Sequence, residues 1–225
     1  ASGRLYGVKF VDAVHGSVVG AEGVLLRTND GGGTWTSQRT GPTESLNGGS
    51  FVDSSHGWIV GRGGLILHTS NGGADWTPQT SGTTNWLNSV DFIDLDCGWA
   101  AGNDGTVLRT TDGGGSWSVL NSGTTRDLFA VDFVDASHGW VVGASGTIRR
   151  TTNGGATWTD QAYGSYWLRD VAFVDVNHGW ATGGVILHTT DGGSSWHMQN
   201  PGTDRTSRIA MADANTGWVI GPFGT

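Results

Sequence analysis

The apolar residues of this chain occur in short runs bounded by glycine, asparagine or aspartate, as in residues 87–93 and 107–110. Many residues in these runs are β-branched or aromatic, which is typical of strands. No segment keeps apolar residues at positions i, i+3, i+4 and i+7 over successive turns, as an amphipathic helix requires. The frequent glycines would each cost a helix about 1 kcal/mol. The pattern therefore predicts an all-β fold.

Two motifs recur along the whole chain. Residues 51–58 (FVDSSHGW) return as residues 133–140 (FVDASHGW), and residues 110–117 (TTDGGGSW) return as residues 189–196 (TTDGGSSW). The tryptophans that close the second motif are spaced by 41, 41, 41 and 38 residues, and they are Trp35, Trp76, Trp117, Trp158 and Trp196. A period near 41 residues, together with strand-like segments, indicates four-stranded repeats of the propeller type.

Each repeat divides into four strands, and a lone four-stranded sheet cannot bury both of its faces. Radial stacking of the sheets buries them, which predicts a β-propeller; a flat β-solenoid is the alternative. We expect one propeller domain over residues 1–225, with five complete repeats at 5–45, 46–86, 87–127, 128–167 and 168–205. Residues 206–225 form a half-blade, so we expect the natural protein to be longer. An exposed half-blade would leave an unpaired strand edge that is prone to association.

Composition excludes several classes of function. The net charge of −8 argues against binding the nucleic-acid backbone. The single cysteine, Cys97, excludes an intramolecular disulfide framework. No apolar stretch is long enough to span a membrane. The low charged fraction of 14% and the 12 tryptophans favour an extracytoplasmic protein, whether periplasmic, lumenal or secreted.

The second motif has the form Ser/Thr-x-Asp-x-Gly-x-Ser/Thr-Trp and resembles the Asp-box, or BNR repeat, of sialidase-type propellers. Its acidic position is occupied by Asp30, Asn71, Asp112, Asn153 and Asp191. The two motifs together are similar to those of the photosystem II stability/assembly factor family, and the resemblance covers residues 4–221. This resemblance implies a propeller that binds proteins.

We interpret the Asp-boxes as structural. The Asp or Asn can accept hydrogen bonds from its own turn, and the Trp ring covers the turn and packs between blades. We therefore expect Trp117→Ala to cost about 3–5 kcal/mol. Asp and Asn alternate at the acidic position, so we expect no dependence on metal and no cofactor.

Two further sets of residues recur. Aspartates close the first strand of each repeat, with a histidine three residues later in four of them, and we interpret them as turn caps: Asp12, Asp53, Asp94, Asp135, Asp175 and Asp213. A basic residue precedes each Asp-box, and these residues are either solvated or brace the blades, or they form a surface for an anion or an acidic partner: Arg27, His68, Arg109, Arg150 and His188.

Enzyme signatures are scarce. The sequence contains no Gly-x-Ser-x-Gly, His-Glu-x-x-His, Walker or dinucleotide motif. Its only glutamates are Glu22 and Glu44, whereas a glycosidase usually needs a pair of carboxylates in a cleft. The Arg-Ile-Pro segment of sialidases is absent; the nearest match is residues 208–210. We expect a protein that is not an enzyme.

Residues that break the repeat are the better candidates for function. Because the strands of a blade alternate in direction, the links between second and third strands lie on the same face of the propeller as the connectors between blades. On this surface we expect a partner-binding or sugar-binding site formed by Trp86, Trp167, Tyr166, Tyr163, Arg126 and Arg62. The alternative for the two tryptophans is that they plug gaps between blades.

The main hypothesis is a non-enzymatic propeller that binds another protein, as an assembly factor or as a subunit of a larger extracytoplasmic complex. A lectin-like module that uses the connector aromatics on carbohydrate is the second candidate. A fragment of a sialidase-type glycosidase is the third.

Overall fold

A computed structural model describes residues 4–38, 40–41, 43–199 and 206–221. Over these residues the chain forms five four-stranded antiparallel sheets and one two-stranded sheet. Each four-stranded sheet is one blade with its strands in chain order. The all-β propeller predicted from the sequence is confirmed.

The strands are numbered in chain order, four to each full blade. They are β1 (Leu5–Phe10), β2 (Gly16–Gly20), β3 (Leu25–Thr28) and β4 (Thr36–Gln38); β5 (Leu46–Phe51), β6 (Gly57–Gly61), β7 (Ile66–Thr69) and β8 (Thr77–Gln79); β9 (Leu87–Phe92), β10 (Gly98–Gly102), β11 (Thr106–Thr110) and β12 (Ser118–Asn121); β13 (Leu128–Phe133), β14 (Gly139–Gly143), β15 (Ile148–Thr151) and β16 (Thr159–Asp160); and β17 (Leu168–Phe173), β18 (Gly179–Gly183), β19 (Ile186–Thr189) and β20 (His197–Gln199). The two-stranded sheet comprises β21 (Arg208–Met211) and β22 (Gly217–Ile220).

A single 3₁₀ turn joins the second strand to the third in each of the first four blades. These turns are Ala21–Gly23, Arg62–Gly64, Asn103–Gly105 and Ala144–Gly146. The last residue of each turn is a glycine with positive φ, for example 73° at Gly64. A Cβ atom at Gly64 would overlap the carbonyl oxygen of Thr83, which belongs to the connector that follows the blade. Glycine here lets the connector lie directly against the turn.

The chain divides into two compact units, one of residues 1–100 and 108–119 and the other of residues 101–107 and 120–225. In the first unit, Trp58 of the second blade stacks flat on Phe92 of the third, with ring centroids 3.6 Å apart. In the second unit, Trp140 stacks on Phe173 in the same way at 3.5 Å. Trp58 and Trp140 therefore fill the core between successive blades.

The Asp-box tryptophans occupy a different position. Trp76, Trp117 and Trp158 are half-buried, and each meets the phenylalanine of its own blade edge-on; Trp117 lies 5.8 Å from Phe92. Trp117 also donates from Nε1 to Oε1 of Gln79 in the preceding blade, at 3.2 Å. Trp117 therefore contacts both the second and the third blade, but it is half-buried where Trp58 is completely buried.

The two-stranded sheet follows the fifth blade in the second unit. Its strands pair antiparallel, with Ala210 opposite Trp218. The backbone N–H of Ile209 donates to the carboxylate of Asp170 on β17 at 3.0 Å, which anchors β21 to the fifth blade.

Candidate functional site

The Asp-box carboxylates are fully engaged within their own turns. Oδ1 of Asp112 accepts from the Ser116 backbone N–H at 2.9 Å and from the Thr110 hydroxyl at 2.7 Å. Oδ2 accepts from the Ser116 hydroxyl at 2.7 Å. These hydrogen bonds, the Ser116 backbone N–H first, lower the pKa of Asp112 to about 2. A carboxylate held in this way stabilises its turn and is not free to act as an acid or a ligand.

Two boxes replace the carboxylate by an amide, and the hydrogen bond to the partner side chain then runs in the opposite direction. Nδ2 of Asn71 donates to Oδ2 of Asp75 at 2.9 Å, and Nδ2 of Asn153 donates to the Thr157 hydroxyl at 2.8 Å. An amide nitrogen can only donate, so its partner must accept. Asp75 and the Thr157 hydroxyl both meet this need, and the box of Asn153 and Thr157 shows that the turn does not require a negative charge.

Acid is expected to weaken the Asp-boxes that carry a carboxylate. The pKa of Asp112 is below its ordinary value of 3.8, so its stabilising effect is complete above about pH 4 and is lost as the pH falls towards 2. Asp112→Asn should therefore fold at neutral pH and lose less stability than wild type between neutral pH and about pH 3.

The reciprocal change, Asn153→Asp, should increase the acid sensitivity, because the Thr157 hydroxyl can donate to a carboxylate as Thr34 does to Asp30 at 2.6 Å. Urea denaturation at neutral pH and at about pH 3 gives the free energy of unfolding of each variant, and the difference between the two values measures its sensitivity to acid. Unfolding of Asp112→Asn at neutral pH would show that the charge is required.

The turns between first and second strands are capped by aspartate. Oδ1 of Asp53 accepts from the backbone N–H groups of Ser55 and His56 at 2.6 and 2.7 Å, and its carboxylate contacts Nδ1 of His56. Where Cys97 replaces the histidine, the backbone bond to Asp94 persists at 2.6 Å. The cap therefore depends on the aspartate. Within the described ranges, no three His, Cys, Asp or Glu side chains are grouped to hold a metal ion.

The basic residues that precede the Asp-boxes stack on aromatic rings. The His68 ring lies 4.8 Å from Trp58, and the Arg109 and Arg150 guanidinium carbons lie 5.6 Å from the Trp99 and Trp140 ring centroids. Burial is the main cause that lowers the pKa of His68. These contacts favour the blade-bracing role over an anion-binding surface.

A shallow depression of about 390 Å³ lies on the Asp-box side of the first unit. Trp58, His68 and Gln79 line it, with Asp96 and Asp112 as its carboxylates. Asp112 is engaged by its own Asp-box, which leaves Asp96 as the other carboxylate among the lining residues. The depression therefore lacks the pair of available carboxylates that glycoside hydrolysis uses.

The connector that follows the second blade presents an exposed tryptophan under an arginine. Trp86 is 44% exposed, and the Arg62 guanidinium lies 4.2 Å from its ring centroid. The connector is ordered by its own hydrogen bonds: the Ser81 hydroxyl donates to the Thr83 carbonyl at 3.1 Å, and the Asn85 backbone N–H donates to the Thr83 hydroxyl at 3.0 Å. We call Arg62 and Trp86 the Arg62–Trp86 pair.

A second exposed tryptophan lies in the second unit. Trp167 is 54% exposed, and its ring lies 5.6 Å from Phe129 and 5.7 Å from the Arg169 guanidinium carbon. We call these three residues the Trp167 cluster. Phe129 and Arg169 were missed in the sequence analysis. Both occupy the second position of a first strand, where three other blades carry Tyr6, Asn47 and Asn88, and this departure from the repeat is the signal that could have found them.

The remaining candidates of the second unit differ in exposure. Tyr166 is exposed, and its carbonyl accepts from the Gly146 backbone N–H. Tyr163 is half-buried against the core of the fourth and fifth blades. Arg126 is exposed and donates to the Ser145 carbonyl at 3.0 Å. Tyr163 therefore has a packing role, whereas Tyr166 and Arg126 present their side chains to solvent.

Comparison with known proteins identifies related families. A family model described as photosynthesis system II assembly factor YCF48 matches residues 2–79, 43–125 and 116–166. No curated protein matches the sequence. Among the described residues, no helix is long and apolar enough to cross a membrane.

Solved structures share the fold at low sequence identity. YCF48 bound to D1 peptide is 21% identical, with a TM-score of 0.57 over 99% of this chain and 92% of that chain. YCF48 from Cyanidioschyzon merolae is 20% identical, with a TM-score of 0.56 over 99% and 94%. The GH74 enzyme of Niastella koreensis is 14% identical, with a TM-score of 0.80 over 96% of this chain and 44% of that chain. At these identities the structural likeness shows the fold alone.

Proposed function

The chain belongs to the photosynthesis system II assembly factor YCF48 family, and on that premise we propose that it is a non-enzymatic, extracytoplasmic propeller that binds a segment of a partner protein. One YCF48 structure is of the protein bound to D1 peptide, and by that likeness we propose a peptide ligand here as well. The low charge and high tryptophan content of the chain support the extracytoplasmic location.

The observation that carries the proposal is the exposure of Trp86 and Trp167 on ordered segments. Large aromatic side chains and arginines dominate binding energy at protein interfaces. A ring already stacked against a guanidinium loses less conformational freedom when a partner arrives. Both rings have such a neighbour, in Arg62 and Arg169 respectively.

The chemistry of these surfaces favours a peptide over a sugar. Arg62 covers one face of the Trp86 ring, so that face is not available as a stacking platform for a sugar ring. A guanidinium offers several N–H donors to the carbonyl and carboxylate oxygens that a peptide carries. The exposed Trp86 surface would then bury apolar side chains of the same peptide.

The repeated aspartates are unsuited to act as the general acid of a glycosidase. A glycosidase needs one carboxylic acid whose pKa is raised so that it can donate a proton. Seven aspartates have their pKa lowered instead, through hydrogen bonds within their own turns, and these are Asp12, Asp30, Asp53, Asp112, Asp135, Asp175 and Asp191.

The proposal is tested by peptide binding. The partner is recovered by co-purification and identified by mass spectrometry. Overlapping fluorescent peptides that cover the partner's sequence are then titrated with the chain, and the D1 peptide is titrated in parallel. The variant Trp86→Ala with Trp167→Ala should weaken peptide binding roughly tenfold or more, as loss of a hot-spot residue would.

Trp35→Ala is the matched control, because it removes a partly exposed tryptophan from an Asp-box and should leave peptide affinity unchanged. Thermal melts establish that both proteins are folded. Undiminished peptide affinity in the double variant would refute the assignment of these surfaces. Binding on a glycan array with no peptide bound would favour the lectin alternative.

A further inference from the structure

The contact between the first and second blades has an arginine where the next contact along the chain has a tryptophan. Trp58 of the second blade stacks on Phe92 of the third, with ring centroids 3.6 Å apart. In the first blade, Ser17 stands at the position of Trp58 and pairs across the sheet with Arg27. The Arg27 guanidinium carbon lies 5.1 Å from the ring centroid of Phe51, which is the counterpart of Phe92. A charged side chain therefore lies on the ring that a tryptophan covers in the next blade.

Arg27 is a buried positive charge without a negative partner. It is only 8% exposed, and its Nη2 donates to the Ser54 carbonyl at 3.1 Å. Its Nη1 is closed to solvent and has no hydrogen-bond partner among the described residues, and no carboxylate in this part of the chain lies within ion-pair distance of it. Burial lowers the pKa of the guanidinium. Because a buried charge is costly unless it is paired, a counter-charge at Arg27 would stabilise the fold.

A second unpartnered donor lies beside the first. Nε1 of Trp76 is also buried, and it has no hydrogen-bond partner among the residues that the structure describes. A Cβ atom on Gly73 would lie 3.4 Å from this nitrogen and 3.5 Å from Nη1 of Arg27. The two nitrogens therefore border the same point, where the glycine carries no side chain. Indole and guanidinium nitrogens can only donate, so this point requires an acceptor.

The third blade holds an acceptor at the equivalent point. Gly114 is the counterpart of Gly73, and a Cβ atom on it would overlap Oε1 of Gln79. This oxygen accepts from Nε1 of Trp117 at 3.2 Å. Beside Gly73, the nearest side-chain atoms belong instead to the two donors, Arg27 and Trp76. A position that is occupied by an acceptor oxygen in one blade thus combines two donors and a positive charge in another.

We infer that a small monovalent anion, chloride or one of similar size, binds between the first and second blades and accepts from Nη1 of Arg27 and Nε1 of Trp76. The anion supplies the missing counter-charge and satisfies both donors. Protein atoms cover both nitrogens, so the site excludes large anions, and the flexible Arg27 side chain adjusts as a small one enters. Because the site exists only in the folded chain, the anion stabilises the fold in proportion to its occupancy.

Thermal melts over a chloride series test the inference, with sodium gluconate added to keep the ionic strength constant. The melting temperature of wild type should rise by a few degrees as chloride replaces the larger gluconate. Arg27→Met should melt at the same temperature in both salts, because it lacks the charge. Trp76→Phe keeps an aromatic ring without the N–H, and it should need roughly tenfold more chloride, or more, for the same rise.

Arg109→Met is the matched control. It removes the basic residue that precedes the Asp-box of the third blade, where the guanidinium stacks on Trp99, and it should keep the chloride response of wild type. Crystals soaked in bromide should show an anomalous peak within hydrogen-bond distance of Arg27 and Trp76.

Three results would overturn the inference. The first is a wild type that melts at one temperature throughout the series. The second is a chloride response that persists in Arg27→Met, or in Trp76→Phe at unchanged chloride concentrations if Arg27→Met does not fold. The third is electron density beside Gly73 without an anomalous bromide signal, because a water molecule would then satisfy the two donors.

Discussion

Replacing Trp58 by alanine is expected to cost the folded protein roughly 3–5 kcal/mol. The side chain is completely buried and lies between two rings, Phe92 at 3.6 Å and His68 at 4.8 Å. Its Nε1 donates to the Gly113 carbonyl at 3.0 Å, so the substitution also leaves that acceptor without this donor. Because a domain is typically stable by about 5–15 kcal/mol, early melting and low yield are expected.

Trp117→Ala is the matched comparison, because it removes the same side chain from the other repeated motif. Trp117 is half-buried and meets Phe92 at its edge, so a smaller cavity is left. Urea denaturation of both variants gives the two free energies of unfolding. A loss at Trp117 equal to or larger than that at Trp58 would show that the half-buried Asp-box ring contributes at least as much to the packing between blades as the fully buried one.

The second large effect is expected at Gly64. Its φ of 73° is a conformation that costs an L-residue roughly 1–2 kcal/mol. In addition, a Cβ atom would overlap the Thr83 carbonyl oxygen, and such overpacking typically costs a further 1–3 kcal/mol. Gly64→Ala should therefore destabilise the chain and displace the connector that carries Trp86.

Gly63 provides the control, since it also has a positive φ, of 67°, but faces open space. Three other turns carry Glu22, Asp104 and Ser145 at this position, with φ between 54° and 56°. Gly63→Asp should therefore be tolerated far better than Gly64→Ala in thermal melts. Equal melting temperatures for the two variants would show that the connector at Thr83 moves away from the new Cβ atom without any loss of stability.

The sequence by itself determined the strands and their organisation into blades. The 41-residue spacing of Trp35, Trp76, Trp117 and Trp158 follows from a local motif, and the hydrogen bonds of that motif are made within a few residues of Asp30, Asn71, Asp112 and Asn153. Such contacts are encoded in the order of neighbouring residues. Sequence analysis could therefore predict the fold class, the connectors and the exposed candidates that they carry.

Only the tertiary structure decided which of two equally repeated tryptophans is buried. Trp58 and Trp117 belong to two motifs that repeat equally often, yet Trp58 is completely buried and Trp117 is half-buried. Burial depends on how much of each ring the neighbouring blade covers, and no local pattern records that. The same holds for the Arg62–Trp86 pair and for the contact of Phe129 with Trp167, because the partners lie far apart in sequence and meet only where neighbouring turns, strands and connectors fold against one another.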